Sequence, residues 1–341
     1  MQKTEALNFH LHLCSDIVDI KQIQIYLDED WNGYRDTLIS ILFHRNSLIN
    51  SITDYLCSNT GKQLRPVMSL LASRIVSGGA SLSLSCYYSA ALSEIIHNAS
   101  LLHDDVVDDG DIRRGVPTVK ASFGSAASVL SGDYLLTKGL TGLIENCSIE
   151  VVYLFIDAVK QLAEGEMFQM ELSQTLKTTK EDYYTVIFKK TSALFIAALK
   201  GGALSAGAGE ELAGIMETYG RHLGNAFQIR DDIFDYSPNL DTGKTYGSDI
   251  TERKITLPLL CAMENAPAVA KEEIMRKIAA QGPDVAERAT EFVHLYNGME
   301  LAQKELEEQS ALAQKALSSL PSSKEKELLM ELASYVGRRN T

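Results

Sequence analysis

The sequence lacks the features that mark cysteine-based metal sites, membrane spans and nucleic-acid-binding surfaces. Its five cysteines are widely spaced, with no CxxC pair for zinc or redox chemistry, and we expect them to be reduced thiols. No stretch approaches the roughly 18 consecutive apolar residues of a transmembrane helix. The formal net charge of −13 disfavours a nucleic-acid partner, because phosphate backbones are bound by clustered lysine and arginine.

Proline is also scarce, which leaves room for long helices. Only seven prolines occur in 341 residues, and between them apolar side chains recur at spacings of three and four. No run of residues alternates as a strand would. We therefore predict an all-α protein. The N-terminal segment lacks a basic region followed by an apolar stretch, so we expect no signal peptide and a cytoplasmic location.

Two predicted helices, at roughly 82–109 and roughly 212–236, carry aspartates at the same spacing. The clusters consist of Asp104, Asp105 and Asp108 in the first helix and Asp231, Asp232 and Asp235 in the second. Carboxylates one turn apart repel each other unless a cation lies between them, and Mg²⁺ prefers such oxygen ligands together with phosphates and water. One such cluster is more often a solvated helix end. Two copies, each on a helix that buries its other faces, predict a magnesium site that folding assembles.

Basic and polar side chains accompany both clusters. Arg113 and Arg114 follow the first cluster directly, and a guanidinium group can bind phosphate oxygens with two parallel hydrogen bonds. The other candidates are Lys62, Arg65, His97, Lys190, Thr191, Gln228, Lys244 and Lys254. Each of these alone is more often a solvated or structural residue. Their grouping around the aspartates predicts a diphosphate-binding site.

Eight motifs in order, between about Gly61 and Pro258, resemble the trans-prenyltransferases, also called polyprenyl or isoprenyl diphosphate synthases. They are GKQLRP, HNASLLHDDVVDDGDIRRGVPT, GDYLL, AEGEMFQ, KKTSALF, FQIRDDIFDY, GKTYGSD and ERKITLPL. The resemblance implies a single-domain helical bundle of the isoprenoid synthase type, with a deep central cavity and usually a homodimer. We assign residues 41–341 to this domain and residues 1–40 to an N-terminal helical extension of open role.

The resemblance also implies the roles of individual residues. Mg²⁺ would be held by Asp104, Asp105, Asp108, Asp231 and Asp235. The allylic diphosphate would contact Arg113, Lys190, Gln228 and Lys244, and isopentenyl diphosphate would contact Lys62, Arg65, His97 and Arg114. Asp232 and Thr191 are further catalytic candidates, and Lys254 is a further substrate-binding candidate. One departure is visible, because Thr60 stands where the family often has a second glycine.

The implied reaction ionises the allylic diphosphate, and the double bond of isopentenyl diphosphate then attacks the cation. Because water would quench that cation, we predict that the turn-rich segment 237–249 is a mobile loop that closes the cavity. No membrane span is expected, and peripheral membrane contact would serve product release.

The length of the product is predicted from the helix before the first aspartate cluster, where bulky residues block the growing chain in this family. Ala99 and Ser100 are small at that level, Ser93 is small below it, and Ile96 could form a deeper floor. We therefore predict a hexaprenyl or longer product, a precursor of quinone side chains, and expect Ala99→Phe to shorten it. The alternative is that these small residues only allow close helix packing.

Three other functions remain open from the sequence. A short-chain farnesyl or geranylgeranyl diphosphate synthase would share all the motifs. A terpene cyclase also ionises allylic diphosphates, but the second aspartate cluster and the basic residues for a second diphosphate favour condensation. An inactive regulatory subunit would commonly lack one cluster, and both are intact here.

Overall fold

The computed structural model describes residues 19–237 and 246–338, and these parts of the chain are almost wholly helical. In chain order the α-helices are α1 (Ile20–Leu42), α2 (Ser47–Ser58), α3 (Leu64–Ser77), α4 (Leu84–Val107), α5 (Val119–Phe123), α6 (Ser125–Asn146), α7 (Ile149–Thr175), α8 (Lys180–Ile187), α9 (Ala193–Ser205), α10 (Glu210–Asp235), α11 (Ser248–Thr251), α12 (Leu257–Asn265), α13 (Ala268–Ala280), α14 (Val285–Leu295), α15 (Gly298–Ala316) and α16 (Lys324–Arg338). The predicted all-α fold is confirmed.

Two short elements interrupt this pattern, and both lie beside the candidate site. A π-helical turn, Phe188–Ser192, joins α8 to α9 without a break in the helical path. A two-strand antiparallel hairpin, β1 (Ile112–Arg113) and β2 (Val116–Pro117), follows α4. π-helical turns occur frequently at functional sites.

The core forms around α9, which is apolar on every face. Ten of its thirteen residues are buried, as expected for a helix surrounded by others. Its neighbours are α3, α4, α7 and α10. The two aspartate-bearing helices, α4 and α10, are therefore placed around one central helix although they are far apart in the sequence.

The N-terminal helix α1 packs against α3 and α4. It is kinked at Asp28, where φ is 44°, and Arg74 of α3 donates hydrogen bonds to the carbonyl oxygens of Tyr26 and Leu27 beside the kink. The predicted boundary between residues 40 and 41 lies inside this helix. No described helix is both long and apolar enough to cross a membrane.

Candidate active site

A cavity of about 1100 Å³ opens between α4, α10 and the π-helical turn. It brings together most of the residues that the sequence singled out. Those that line it are Lys62, Arg65, His97, Ser100, Asp104, Asp108, Arg113, Arg114, Lys190, Thr191, Gln228, Asp231, Asp232 and Lys254. Residues as far apart in the sequence as Lys62 and Lys254 therefore line one cavity.

Residues near the two aspartate clusters approach each other at Asp108. Lys254, which follows α11, places its Nζ atom 3.9 Å from Asp108 Oδ1 of the first cluster, and it also pairs with Glu252. Near Asp104 of the same cluster, Lys190 Nζ lies 2.5 Å from Glu166 Oε2. Burial, followed by the nearby Glu166 carboxylate, raises the pKa of Asp104 to about 6. This acidic wall is thus favourable for a cation.

Two of the predicted aspartates, Asp105 and Asp235, are not among the described residues that line the cavity. Asp105 is buried and accepts a hydrogen bond of 2.8 Å from Arg113 Nε. Asp235 is also buried and accepts hydrogen bonds from the Ser248 hydroxyl and the Asp249 backbone. Lys244 and most of the predicted lid, residues 238–245, lie outside the described residues. Asp105 and Asp235 are therefore tied to the flanking segments that carry other cavity residues.

The hairpin after α4 positions the two arginines. Arg114 and Gly115 form its turn with φ values of 53° and 77°, the left-handed pair that a two-residue hairpin turn requires. The Arg114 guanidinium then lies over Gly61, where a Cβ atom would be only 2.5 Å from Arg114 Nη2. Gly61 therefore supplies space for the Arg114 side chain.

The π-helical turn carries Lys190 and Thr191 on the cavity wall. Two glycines allow the neighbouring helices to approach it closely: a Cβ atom on Gly165 of α7 would lie 2.7 Å from Lys189 Cβ, and one on Gly224 of α10 would lie 2.5 Å from Ser192 Cα. Real Cβ atoms do not approach other atoms so closely, so both positions need glycine.

A chain of hydrogen bonds runs along the wall from the π-helical turn to the second cluster. Thr191 Oγ1 donates to Gln228 Oε1 at 2.7 Å, and Gln228 Nε2 donates to Asp232 Oδ1 at 2.9 Å. Tyr183 donates to the other oxygen of Asp232 at 2.7 Å. Burial, and then the facing Asp249, raise the pKa of Asp232. The chain fixes the orientation of the Gln228 amide.

A second polar group lines the same cavity and consists of Arg65, Arg114, Glu94 and His97. Burial lowers the pKa of Arg65 to about 10 against the opposing effect of Glu94, so the guanidinium stays charged. Burial, then Arg65 and Arg114, hold the pKa of His97 well below its usual range, which keeps the imidazole neutral. Arg65 Nε has no hydrogen-bond partner among the described residues. The charged guanidinium groups of Arg65 and Arg114 make this group of residues suited to binding an anion.

The donor set fits Mg²⁺. No group of three His, Cys, Asp or Glu side chains in the described ranges is arranged to hold a metal ion by itself. Mg²⁺ commonly keeps several waters and takes one or two carboxylates together with substrate phosphates. Asp104 on α4, Asp108 directly after α4 and Asp231 on α10 all line the cavity and are the side chains that would hold it.

Several residues of the site were missed by the sequence reasoning. They are Glu94, Gln169, Tyr183, Asp249 and Tyr335, all of which line the cavity. Asp249 lay in a quoted motif, GKTYGSD, and its acidic side chain was the one available signal. Gln169 also lay in a quoted motif, AEGEMFQ, whereas Glu94, Tyr183 and Tyr335 had no such signal, because nothing in a helical pattern identifies which polar residue will face a cavity.

The four chain-length positions lie in different surroundings. Ser100 lines the cavity. Ala99, Ile96 and Ser93 are at most 1% exposed and belong to the packed interior, where the Ser93 hydroxyl donates to the Ala90 carbonyl oxygen. The interpretation as close helix packing therefore remains open for Ala99.

Comparison with known proteins identifies the family. A family model described as polyprenyl synthetase matches residues 46–296. The octaprenyl diphosphate synthase of Haemophilus influenzae is 35% identical over 328 residues, which cover 95% of this chain and 98% of that protein. The octaprenyl diphosphate synthase of Escherichia coli strain K12 is 36% identical over 327 residues, which cover 95% of this chain and 100% of that protein.

A solved structure agrees with this result. The polyprenyl synthase from Caulobacter crescentus CB15, complexed with calcium and isoprenyl diphosphate, superposes with a TM-score of 0.88 at 30% identity. The match covers 96% of this chain and 100% of that one. The predicted isoprenoid synthase type of bundle is thereby confirmed, and the chain belongs to the polyprenyl synthetase family.

Proposed function

We propose that the protein is a Mg²⁺-dependent trans-prenyltransferase that condenses an allylic diphosphate with isopentenyl diphosphate to give a long-chain polyprenyl diphosphate. The observation that carries this proposal is the convergence of both aspartate clusters and two sets of basic side chains on one cavity. A single diphosphate would need only one such set. The octaprenyl products named for two relatives favour a long chain.

The proposed reaction uses different groups of cavity residues for the two substrates. Lys190, Gln228 and Arg113 bind the allylic diphosphate beside the aspartates, with Lys244 as a further predicted contact. Lys62, Arg65, Arg114 and neutral His97 bind isopentenyl diphosphate. Bound Mg²⁺ would neutralise charge on the departing diphosphate, which is how metal ions assist such displacements.

The side chains then guide carbon–carbon bond formation. The oxygen atoms of Thr191 and Gln228, fixed by their mutual hydrogen bond, face the allylic cation. Holding both reactants in the cavity removes much of the entropic cost of their encounter. The isopentenyl double bond attacks the cation, and the released diphosphate takes the proton that is lost. No protein nucleophile is required.

The experiment that tests this function is an incubation with labelled isopentenyl diphosphate, Mg²⁺ and one of several allylic primers, followed by sizing of the product. We expect product only when both substrates are present, with hexaprenyl or longer chains. Asp104→Asn is the matched control and should be inactive. Product without isopentenyl diphosphate would indicate a terpene cyclase, chains of three or four units a short-chain synthase, and no turnover an inactive regulatory subunit.

We also propose that the protein is a homodimer. Exposed apolar side chains recur at spacings of three, four and eleven residues on α7, which places them on one face of that helix, and α6, which contacts α7, carries three more; we call them the stripe. They are Val129, Leu130, Ile144, Ile149, Tyr153, Ile156, Met167 and Met170. Contiguous exposed apolar surface of this kind commonly marks a protein–protein interface.

The stripe can be tested by placing a charge on it. Tyr153 is 66% exposed, so Tyr153→Glu should convert the dimer to a monomer in sedimentation equilibrium without unfolding it. Val269→Glu is the control, because Val269 is 77% exposed on α13, away from the stripe. A wild-type monomer, or a Tyr153→Glu dimer, would contradict the proposed interface.

A cytoplasmic location and peripheral membrane contact during product release complete the proposal. Cys57, Cys86, Cys147 and Cys261 are free thiols, which supports a reducing compartment. A long polyprenyl tail has little affinity for water, which supports release at a membrane surface.

A further inference from the structure

The first and last described helices, α1 and α16, both contact the loop that carries Lys62, and the sequence assigned neither helix a role. Gln24 of α1 donates to the Lys62 carbonyl oxygen at 3.2 Å. Tyr335 of α16 accepts a hydrogen bond of 2.8 Å from Lys62 Nζ, and this ammonium group lies 5.5 Å from the centre of the Tyr335 ring. Tyr335 also lines the cavity. The contact joins residues 273 positions apart.

The two terminal helices also hold each other. The Tyr26 hydroxyl of α1 donates to Glu325 Oε1, in the first turn of α16, at 2.5 Å. Gln63, the neighbour of Lys62, donates to the Tyr34 hydroxyl of α1 at 3.0 Å. The loop before α3 is therefore hydrogen-bonded to α1, and the Lys62 side chain is hydrogen-bonded to α16.

The effect on Lys62 follows from the flexibility of lysine. Its flexible four-carbon chain loses rotamer entropy when a ligand fixes the ammonium group, and this loss weakens binding. An acceptor that already holds the ammonium at the cavity lowers that cost. The ammonium has three donors, so it can keep its bond to Tyr335 while it binds a phosphate oxygen.

We propose that Tyr335 is a positioning residue for the isopentenyl diphosphate site: its hydroxyl holds the Lys62 ammonium at the cavity in the orientation that binds the diphosphate. This inference rests on the proposed function, which assigns Lys62 to that substrate. It gives the C-terminal helix a part in substrate binding. Among the described residues, the Tyr335 hydroxyl bonds to Lys62 and to none of those assigned to the allylic diphosphate, so we expect binding of that substrate not to depend on Tyr335.

The test is Tyr335→Phe, which removes the hydroxyl and keeps the ring. We expect KM for isopentenyl diphosphate to rise roughly fivefold, while kcat and KM for the allylic substrate stay within about twofold. Tyr219→Phe is the matched control, because the Tyr219 hydroxyl donates to the Leu329 carbonyl oxygen of the same helix, α16, at a buried position that does not line the cavity. It should leave both KM values unchanged.

A double-mutant cycle separates positioning from a structural role. In the Lys62→Met background, Tyr335→Phe should cause no further loss of affinity for isopentenyl diphosphate, measured by calorimetry on the four proteins. An equal loss in both backgrounds, an equal rise in both KM values, or no change in either would overturn the proposal. Absence of turnover by the wild-type protein would instead end the proposed function, and the calorimetric cycle would still test Tyr335.

Discussion

Adjacent residues on one turn of α4 have different surroundings. Ser100 faces the cavity, whereas Ala99 is fully buried in the packed interior. Both are small, and the sequence offered them together as the level that lets a growing chain pass. The structure separates them, so a bulky substitution should act on the cavity at one position and on packing at the other.

Ser100→Phe should shorten the product. A phenyl ring at this position enters the cavity one helical turn, about 5.4 Å, before Asp104. Sizing of the product should show fewer isoprene units, with Ser100→Ala unchanged. Ala99→Phe is expected to shorten the product as well, but overpacking of the interior should also lower the free energy of unfolding by about 1–3 kcal/mol. An active Ser100→Phe enzyme with a full-length product would contradict this assignment.

His97 should make stability depend on pH. Its pKa lies well below the usual value in the folded protein, so the unfolded chain binds one more proton below about pH 6.5. The free energy of unfolding should therefore be fully present above that pH and fall as the pH decreases, by up to about 1.4 kcal/mol per unit. Urea denaturation should show a smaller decrease for His97→Gln. Parallel profiles for both proteins would contradict a neutral buried imidazole.

At the scale of elements, the π-helical turn Phe188–Ser192 depends on its neighbours. Gly224 of α10 faces Ser192 Cα, which is backbone and cannot rotate away as a side chain can. α10 carries the second aspartate cluster, and the turn carries Lys190 and Thr191. The close contact thus sets the distance between two groups of site residues.

Gly224→Ala should disturb both stability and activity. The added methyl group must move the turn or α10, and overpacking of this kind costs about 1–3 kcal/mol. We expect lower kcat and a lower melting temperature. Gly214→Ala is the control in the same helix, because its Cβ would meet no atom within 4 Å, and this change should be neutral or slightly stabilising. Equal behaviour of the two variants would contradict the packing argument.

Helices with a regular spacing of apolar residues could be predicted from the sequence, and irregular elements could not. The apolar spacing predicted helices at roughly 82–109 and 212–236, and the structure has α4 at Leu84–Val107 and α10 at Glu210–Asp235. The π-helical turn has no period of its own, because its five residues continue the helices on either side. The contact between Lys62 and Tyr335 could not be predicted either, because only folding brings α16 to the loop that carries Lys62.

At the scale of the whole molecule, the central feature is the meeting of two acidic clusters that are 127 positions apart. The shared cavity and the 3.9 Å contact between Lys254 and Asp108 show that the flanking segments of both clusters converge. The two copies of the aspartate pattern already predicted a shared site, and the family resemblance agreed. The geometry of the site could not be predicted, because separation in sequence says nothing about which helices will face each other.

The most direct test is the Mg²⁺-dependent affinity for an allylic diphosphate, measured by calorimetry for Asp104→Asn and Asp231→Asn. If the two clusters hold one metal-bound diphosphate, each substitution should weaken binding by a similar factor, roughly 100-fold, with no loss in Asp109→Asn, whose aspartate is exposed and paired with Lys120. Wild-type affinity after substitution of either cluster would contradict a shared site.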